Sequence, residues 1–360
     1  MLLFGGFLDF QLLRPAVTRP ADDFAQFYFV SQLVSQGKTA QIYTREAYQP
    51  LLAAVNHGDY REVPFYYFNR PAFAALLYWP YSFLTYKEGS RVFVALNFLL
   101  WGLMIWKLPV WLEQSGLVRV WMISLFPLGY SVAVGQDTLA ITLLLAYAMC
   151  VLIHRNETAA GVLLGLCLIK PHLLVFMPFV LWIEGKHRAL TSFLATGALL
   201  AGLSLALVGI DGIEQWIDLL RAPTTDFRPE VMGTIRALGL QFGGPVAWAA
   251  GVIALGAGVF GFLRGSYGDR LSIALLLALL LSPHAYWADY ASLAIVALTT
   301  RNPIIRYTIL IPWVYFLPLP MWPMVLCSIG FLILFALDSL PKRSQVPTGK
   351  AFSWKLTRLA

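Results

Sequence analysis

Charge is the scarcest commodity in this chain. Asp, Glu, Lys and Arg together make up 12% of its 360 residues, against roughly a quarter in an ordinary soluble domain. Acids are scarcer still, 19 against 26 Lys and Arg. A water-facing fold is excluded. Cysteine is rare as well: Cys150, Cys167 and Cys327 lie within apolar segments at no metal-like spacing, which points to buried inert thiols and away from a disulfide framework or a zinc site. No A-x-A-like cleavage site follows the opening MLLFGGFLDFQLL, so that segment reads as a first anchor, with a start that can lie upstream, and not as a signal peptide. There is no internal repeat of 20 to 50 residues, no low-complexity stretch, and no soluble domain beyond a basic tail at 341–360.

What the chain has in abundance is apolar sequence, 59% of the total. Runs approaching the roughly 20 residues that span a bilayer as a helix recur with short polar breaks between them. Pro and Gly inside these runs argue for helices over a β-barrel. The expected fold is an all-α polytopic membrane protein. The net charge of +7 sits mostly in the breaks, where it reports orientation and not a nucleic-acid partner.

Basic residues mark cytoplasmic loops. Six breaks are basic: Lys107 to Arg119, His154-Arg155, Lys186-His187-Arg188, Arg264 to Arg270, Arg301 to Arg306, and Lys342-Arg343. Placing all six inside pairs the runs as 1–13 with 90–106, 119–134 with 138–153, 159–170 with 172–184, 188–209 with 245–263, 270–282 with 287–300, and 304–317 with 321–338. About twelve transmembrane helices result, in a single domain over 1–340, with outer loops at 14–89 and 210–244 and both termini cytoplasmic. Residues 71–86 are left over and read as an outer juxtamembrane or re-entrant helix. Arg14 and Arg19 then fall outside, against the rule.

This arrangement collects the unusual polar groups on one face: Asp22-Asp23, Asn69-Arg70-Pro71, Gly135-Gln136-Asp137, Lys170-Pro171-His172, and Ser282-Pro283-His284 with Asp289 and Tyr290. Ionisable groups at membrane depth are costly and usually face a cavity or site.

At these positions the chain resembles the family-87 glycosyltransferases, membrane enzymes of the GT-C architecture that take a sugar from a polyprenyl-phosphate carrier. The matching stretches are DDFAQFYFVSQLVSQGKTAQIY (22–43), RPAFAALLYWP (70–80), GQDTLAITLLLAYAM (135–149), AGVLLGLCLIKPHLLVFMP (160–178), VMGTIRALG (231–239) and LSPHAYWADY (281–290). The family commonly has aromatic-Pro-Pro where this chain has Asn69-Arg70-Pro71, and often Asn where Asp137 stands.

The resemblance implies an inverting transfer of a monosaccharide, mannose as the family default, to an envelope lipid or glycan acceptor at the outer face of a bacterial cytoplasmic membrane. A phosphate diester leaves without being protonated, so one carboxylate serves as general base while cationic or hydrogen-bonding groups stabilise the departing phosphate. The family motif Asp-Phe-x-x-aromatic-aromatic matches Asp23-Phe24-Ala25-Gln26-Phe27-Tyr28, which implies Asp23 as the base, with Asp22 as its rival. Either Asp can instead cap the helix starting near Phe24. Lys170 and His172 read as phosphate ligands, or Lys170 as a cation reaching for the interface; His284 reads as a partner of the phosphate or of the base, or as the cap of a broken helix. Gln136, Asp289, Tyr290 and Arg70 are candidate substrate contacts, while Asp137 most simply favours the dipole at its helix N-terminus. Adjacent Asp22 and Asp23 are compatible with a divalent cation, but too few ligands are identifiable to assign a metal, and no other cofactor is implied.

Residues 211–222, DGIEQWIDLLRA, carry Ile213, Trp216, Ile217 and Leu220 at helical spacing and read as an amphipathic helix on the outer surface that helps admit the acceptor. His57, His154 and His187 receive no site. The competing function is a lipid-linked saccharide transporter or flippase, which calls for paired halves with broken helices near the bilayer midplane; a scaffold without activity is the third. Polar groups gathered at one surface, with no repeated halves, favour the enzyme.

Overall fold

A computed structural model describes residues 21, 23–56, 67–111, 125–153, 156–221, 232–300, 302–309 and 321–340. Asp22, Arg14, Arg19, the first apolar run, His154, Arg155, Arg301 and the basic tail lie outside the described residues. Among those described the chain is helical, with one isolated antiparallel bridge between Met232 and Tyr286 in place of any strand.

The helices are α1 (Phe24–Ser35), α2 (Arg45–Asn56), α3 (Tyr86–Trp111), α4 (Phe126–Val134), α5 (Thr138–Ile153), α6 (Glu157–Leu166), α7 (Met177–Ile183), α8 (His187–Arg221), α9 (Ile235–Phe242), α10 (Gly244–Arg264), α11 (Tyr267–Leu281), α12 (Leu293–Thr299), α13 (Pro303–Ile309) and α14 (Trp322–Asp338). By length and composition, three candidate membrane spans stand out, Tyr86–Pro109, His187–Arg221 and Gly244–Arg264. They are lipid-facing in character: Leu99, Leu199 and Val252 are exposed although each is a large aliphatic side chain. Such exposure is destabilising in water and favourable in hydrocarbon.

At the centre lies α11. Every residue from Leu271 to Leu280 is buried, as are Leu293 to Leu298 of α12. A helix that is apolar all round belongs inside a bundle, and these two show no polar stripe to present elsewhere. A capping box, Ser266 with Asp269, starts α11, and the Ser282-Pro283 step ends it, because the residue before proline is driven out of helical geometry.

Residues 71–83 form a broken element: short 3₁₀ turns at Ala72–Ala74 and Trp79–Phe83 flank an α-turn at Ala75–Tyr78. It is too short to cross a bilayer. Its aromatic side chains anchor α1 instead. Phe27 stacks on Tyr78 at 4.4 Å between centroids, and Phe24 meets Tyr81 at 5.3 Å and Phe93 of α3 at 5.2 Å. This cluster is where the excess of aromatic residues near the start of the chain is used.

Candidate active site

Asp23 stands at the N-terminal end of α1, yet its side chain makes no capping hydrogen bond to that helix. Its backbone N–H donates to the Val134 carbonyl at 2.9 Å, and its Oδ2 accepts from Gln136 Nε2 at 2.6 Å. The capping role is therefore not what this side chain does. Its neighbour Gly135 explains the approach. It adopts φ 73°, ψ 50° in the left-handed cap that ends α4, with Gln136 N–H bonded back to Ser131 O at 2.9 Å, and a Cβ there would lie 2.7 Å from Ala21 Cβ. Glycine alone satisfies both the backbone sign and the contact.

Gln136 then hands the connection on: its Oε1 accepts from Arg70 Nη2 at 3.0 Å. Arg70, buried in a chain with few charges, forks onto Asp137, Nε to Oδ2 at 3.0 Å and Nη2 to Oδ1 at 2.7 Å. Its Nη1 donates to Asn69 Oδ1. Tyr78 donates its hydroxyl to Asp137 Oδ2 at 2.8 Å. Lys170 Nζ sits 3.4 Å from Asp137 Oδ1, donates to Asp289 Oδ1 at 2.6 Å, and donates to Thr138 Oγ1. Asp289 Oδ2 caps the Tyr286 N–H at 3.0 Å, and His172 Nε2 lies 3.8 Å from Asp289 Oδ1.

Two cations and two carboxylates are thus buried together and paired, which is the condition under which buried charge is tolerated. Burial raises the pKa of the Asp137 carboxyl, but Arg70, Lys170 and the hydrogen bonds from Arg70 and Tyr78 outweigh that and hold it below the usual carboxylate range.

One side of this network opens into a cleft lined by Asn69, Arg70, Gln136, Lys170, Pro171, His172, Trp216, Leu220, Ser282, Pro283, His284, Tyr286, Ala288 and Asp289. Its empty volume, with the open space at the mouth included, is about 590 Å³. Every sequence-predicted break on the outer face contributes to it or, in the case of Asp23, is one hydrogen bond away through Gln136. Proline breaks supply the geometry: Pro171 follows Lys170 and begins a 3₁₀ turn at Pro171–Leu174 that aims His172 at the cleft.

A lid covers one side. α8 bends at Gly209, with φ 70° and ψ −176°, a conformation that L side chains rarely adopt. The part beyond the bend turns Ile213, Trp216, Ile217 and Leu220 inward and leaves Asp211, Glu214, Gln215 and Asp218 exposed. Trp216 Nε1 donates to Asn69 O at 3.4 Å, and His284 Nε2 is 3.2 Å from Leu220 O. Burial first, and then the nearby charge of Arg236, lower His284 to a pKa of about 4, so its imidazole is neutral at neutral pH.

The structure brings together Asp23, Arg70, Gln136, Lys170, His172, His284 and Asp289. It does not bring Tyr290: that ring is fully buried behind the cleft, and its hydroxyl donates to Gly233 O at 2.5 Å. Lys170 is taken up by hydrogen bonds to Thr138 and Asp289 and by an ion pair with Asp137 at 3.4 Å. Sequence reasoning missed Asp137 as the hub, and it missed Tyr78, Thr138 and Trp216 as members of the site. One signal was available. A lone acid and a lone Arg at the same expected depth, Asp137 and Arg70, are a natural pair.

No curated protein and no solved structure matches the chain. The family model of glycosyltransferase family 87 matches residues 68–283, which takes in Arg70, Gln136, Asp137, Lys170 and His172, while Asp23 and Asp289 join that site through the fold. A match over more than half of the chain, whose described residues are helical and include three candidate membrane spans, establishes that the chain belongs to glycosyltransferase family 87.

Proposed function

We propose that this glycosyltransferase moves a monosaccharide, mannose by family default, from a polyprenyl-phosphate carrier to an envelope lipid or glycan acceptor, at the outer face of a bacterial cytoplasmic membrane, within a bundle of about twelve crossings. The observation that carries the reading is the unbroken sequence of side chains from Asp23 through Gln136 and Arg70 to Asp137, Lys170 and Asp289 around one cleft. A carboxylate held beside a cleft, with a rigid polar floor and imidazoles at the wall, is what base-assisted displacement at an anomeric carbon requires.

In this mechanism Asp23 takes the proton of the acceptor hydroxyl as its oxygen bonds to C1 of the sugar. The bond from C1 to the phosphate oxygen breaks, the electron pair leaves with the polyprenyl phosphate, and the configuration at C1 inverts. Gln136 fixes the Asp23 carboxylate through its Nε2–H donor, much as an orienting group fixes a base. His172 and His284 face the departing phosphate, and Trp216 on the lid offers an apolar ring to the sugar or lipid. Arg70, Asp137, Lys170 and Asp289 brace one another and keep the floor from relaxing as charge moves above it.

The test uses purified protein with polyprenyl-phosphate mannose and candidate lipid or glycan acceptors. Asp23→Asn is expected to reduce transfer about 100- to 10,000-fold, the range for removing a positioned base. Transfer unchanged by the substitution removes Asp23 from that role. Movement of the lipid across the bilayer without transfer to any acceptor supports a carrier instead.

A further inference from the structure

The buried charges of the cleft balance: Arg70 and Lys170 are matched by Asp137 and Asp289, with Lys170 and Asp289 at 2.6 Å and Arg70 and Asp137 at 2.7 Å. Asp23, one step away, adds a further negative charge. Among the described residues that line it, this site offers no surplus cation to an incoming phosphate diester, nor to the more highly charged phosphate that leaves. The counter-charge has to come from elsewhere.

Arg236 is placed to provide it. It lies in the first turn of α9, where the helix dipole disfavours a cation, and among the described residues it forms no ion pair. Its Nη2 reaches the Arg221 carbonyl at 3.5 Å, at the end of the lid, beside Leu220, whose own carbonyl is 3.2 Å from His284 Nε2. Two successive carbonyls at the tip of the lid are therefore approached by Arg236 and by His284, and Leu220 and His284 both line the cleft. The segment before α9 is stitched to the same wall: Gly233 N–H donates to Ala285 O at 2.8 Å, and Met232 pairs with Tyr286. A hydrogen bond at 3.5 Å is at the weak limit, so the guanidinium gives up little by turning to a phosphate, two of whose oxygens its planar fork can engage at once.

We propose that Arg236, with His284 beside it, is the phosphate-binding element of the donor site, at the rim of the cleft and not on its floor. The inference rests on the polyprenyl-phosphate reading above and deepens it by separating two jobs: the buried pairs set geometry, and the rim arginine meets the charge.

The experiment measures initial rates of the full-length protein in nanodiscs against polyprenyl-phosphate mannose, together with inhibition by polyprenyl phosphate and by phosphatidylglycerol, for wild type, Arg236→Gln and Arg236→Lys. Arg236→Gln is expected to raise the donor KM and the polyprenyl-phosphate inhibition constant together, about ten- to a hundredfold, as loss of a hydrogen bond to a charged group implies. Arg236→Lys should recover part of both, and the thermal midpoint should stay that of wild type. Donor KM and product inhibition unchanged in Arg236→Gln overturn the assignment, as does a shift confined to phosphatidylglycerol, which makes Arg236 a contact for bulk anionic lipid. An unfolded Arg236→Gln, seen as a lowered midpoint, passes the decision to Arg236→Lys, whose donor KM equal to wild type at reduced stability marks a structural residue. Wild type that transfers no sugar from any polyprenyl phosphate defeats the donor reading itself, which these variants do not touch.

Discussion

Replacing Arg70 by Met and Asp137 by Leu, singly and together, tests the reasoning about the buried charges. Arg70→Met leaves Asp137 and Asp289 facing Lys170 alone; Asp137→Leu leaves Arg70 and Lys170 facing Asp289 alone. Either substitution strands a buried charge, and the loss expected is about 3–5 kcal/mol. With roughly 2.1 cal/mol/K of unfolding entropy per residue over 360 residues, the thermal midpoint falls by about 4–7 °C. The double variant removes a cation and an anion at once and keeps Lys170 paired with Asp289 at 2.6 Å. Its remaining cost is the hydroxyl of Tyr78, which loses its acceptor, together with the amide oxygens of Gln136 and Asn69, which lose the Arg70 donor, on the order of 1–3 kcal/mol for a buried group left unpaired. The double variant is thus expected to be no less stable than either single one, a coupling of roughly 3 kcal/mol or more. Thermal unfolding in detergent micelles, followed by intrinsic fluorescence, reads all four proteins. Additive losses, to within about 0.5 kcal/mol, would refute the pairing.

Three further outcomes follow from particular contacts. Gln136→Ala frees the Asp23 carboxylate from its 2.6 Å donor and is expected to lower kcat about tenfold or more with little change in donor KM, because orientation and not binding is lost; an unchanged kcat in the transfer assay ends that role. His284, held near a pKa of about 4 by burial, is neutral in the folded protein while an exposed histidine protonates near 6.5. Its contribution to stability is therefore complete above pH 6.5 and is lost as the pH falls toward 4. His284→Gln should flatten that part of a midpoint-versus-pH curve, and an identical slope in both proteins contradicts the assignment. Gly209→Val forces a β-branched side chain into φ 70°, a strain of about 1–3 kcal/mol. The expected result is a displaced lid, with faster quenching of Trp216 by a soluble quencher and reduced transfer; unaltered quenching shows that the bend does not hold the lid.

Much of the architecture was legible in order along the chain. The expected breaks at Gly135-Gln136-Asp137, Lys170-Pro171-His172 and Ser282-Pro283-His284 are the observed ends of α4, the 3₁₀ junction before α7 and the end of α11, because Pro and left-handed Gly act locally on the backbone. Residues 71–86 stop short of a span up to Phe83, as expected, but the long helix α3 begins at Tyr86 and not at 90. The amphipathic helix near 211–222 is there too, as the continuation of α8 past a bend that hydropathy does not register. Lost from view in the sequence were the partnerships. Arg70 and Asp137 are 67 positions apart, and Lys170 and Asp289 are 119 apart, so nothing local distinguishes a cation reaching for a phosphate from one already spent on a carboxylate.

Scarcity of charge and the rhythm of apolar runs were enough, by themselves, to make this an all-helical membrane protein whose polar residues gather at the breaks, since no unpaired backbone or solitary charge is stable in hydrocarbon. Which of those residues face the cleft and which brace one another beneath it were decided by tertiary packing alone. Pairing depends on distances of a few ångströms between groups that the chain carries far apart, and only the folded bundle sets those distances.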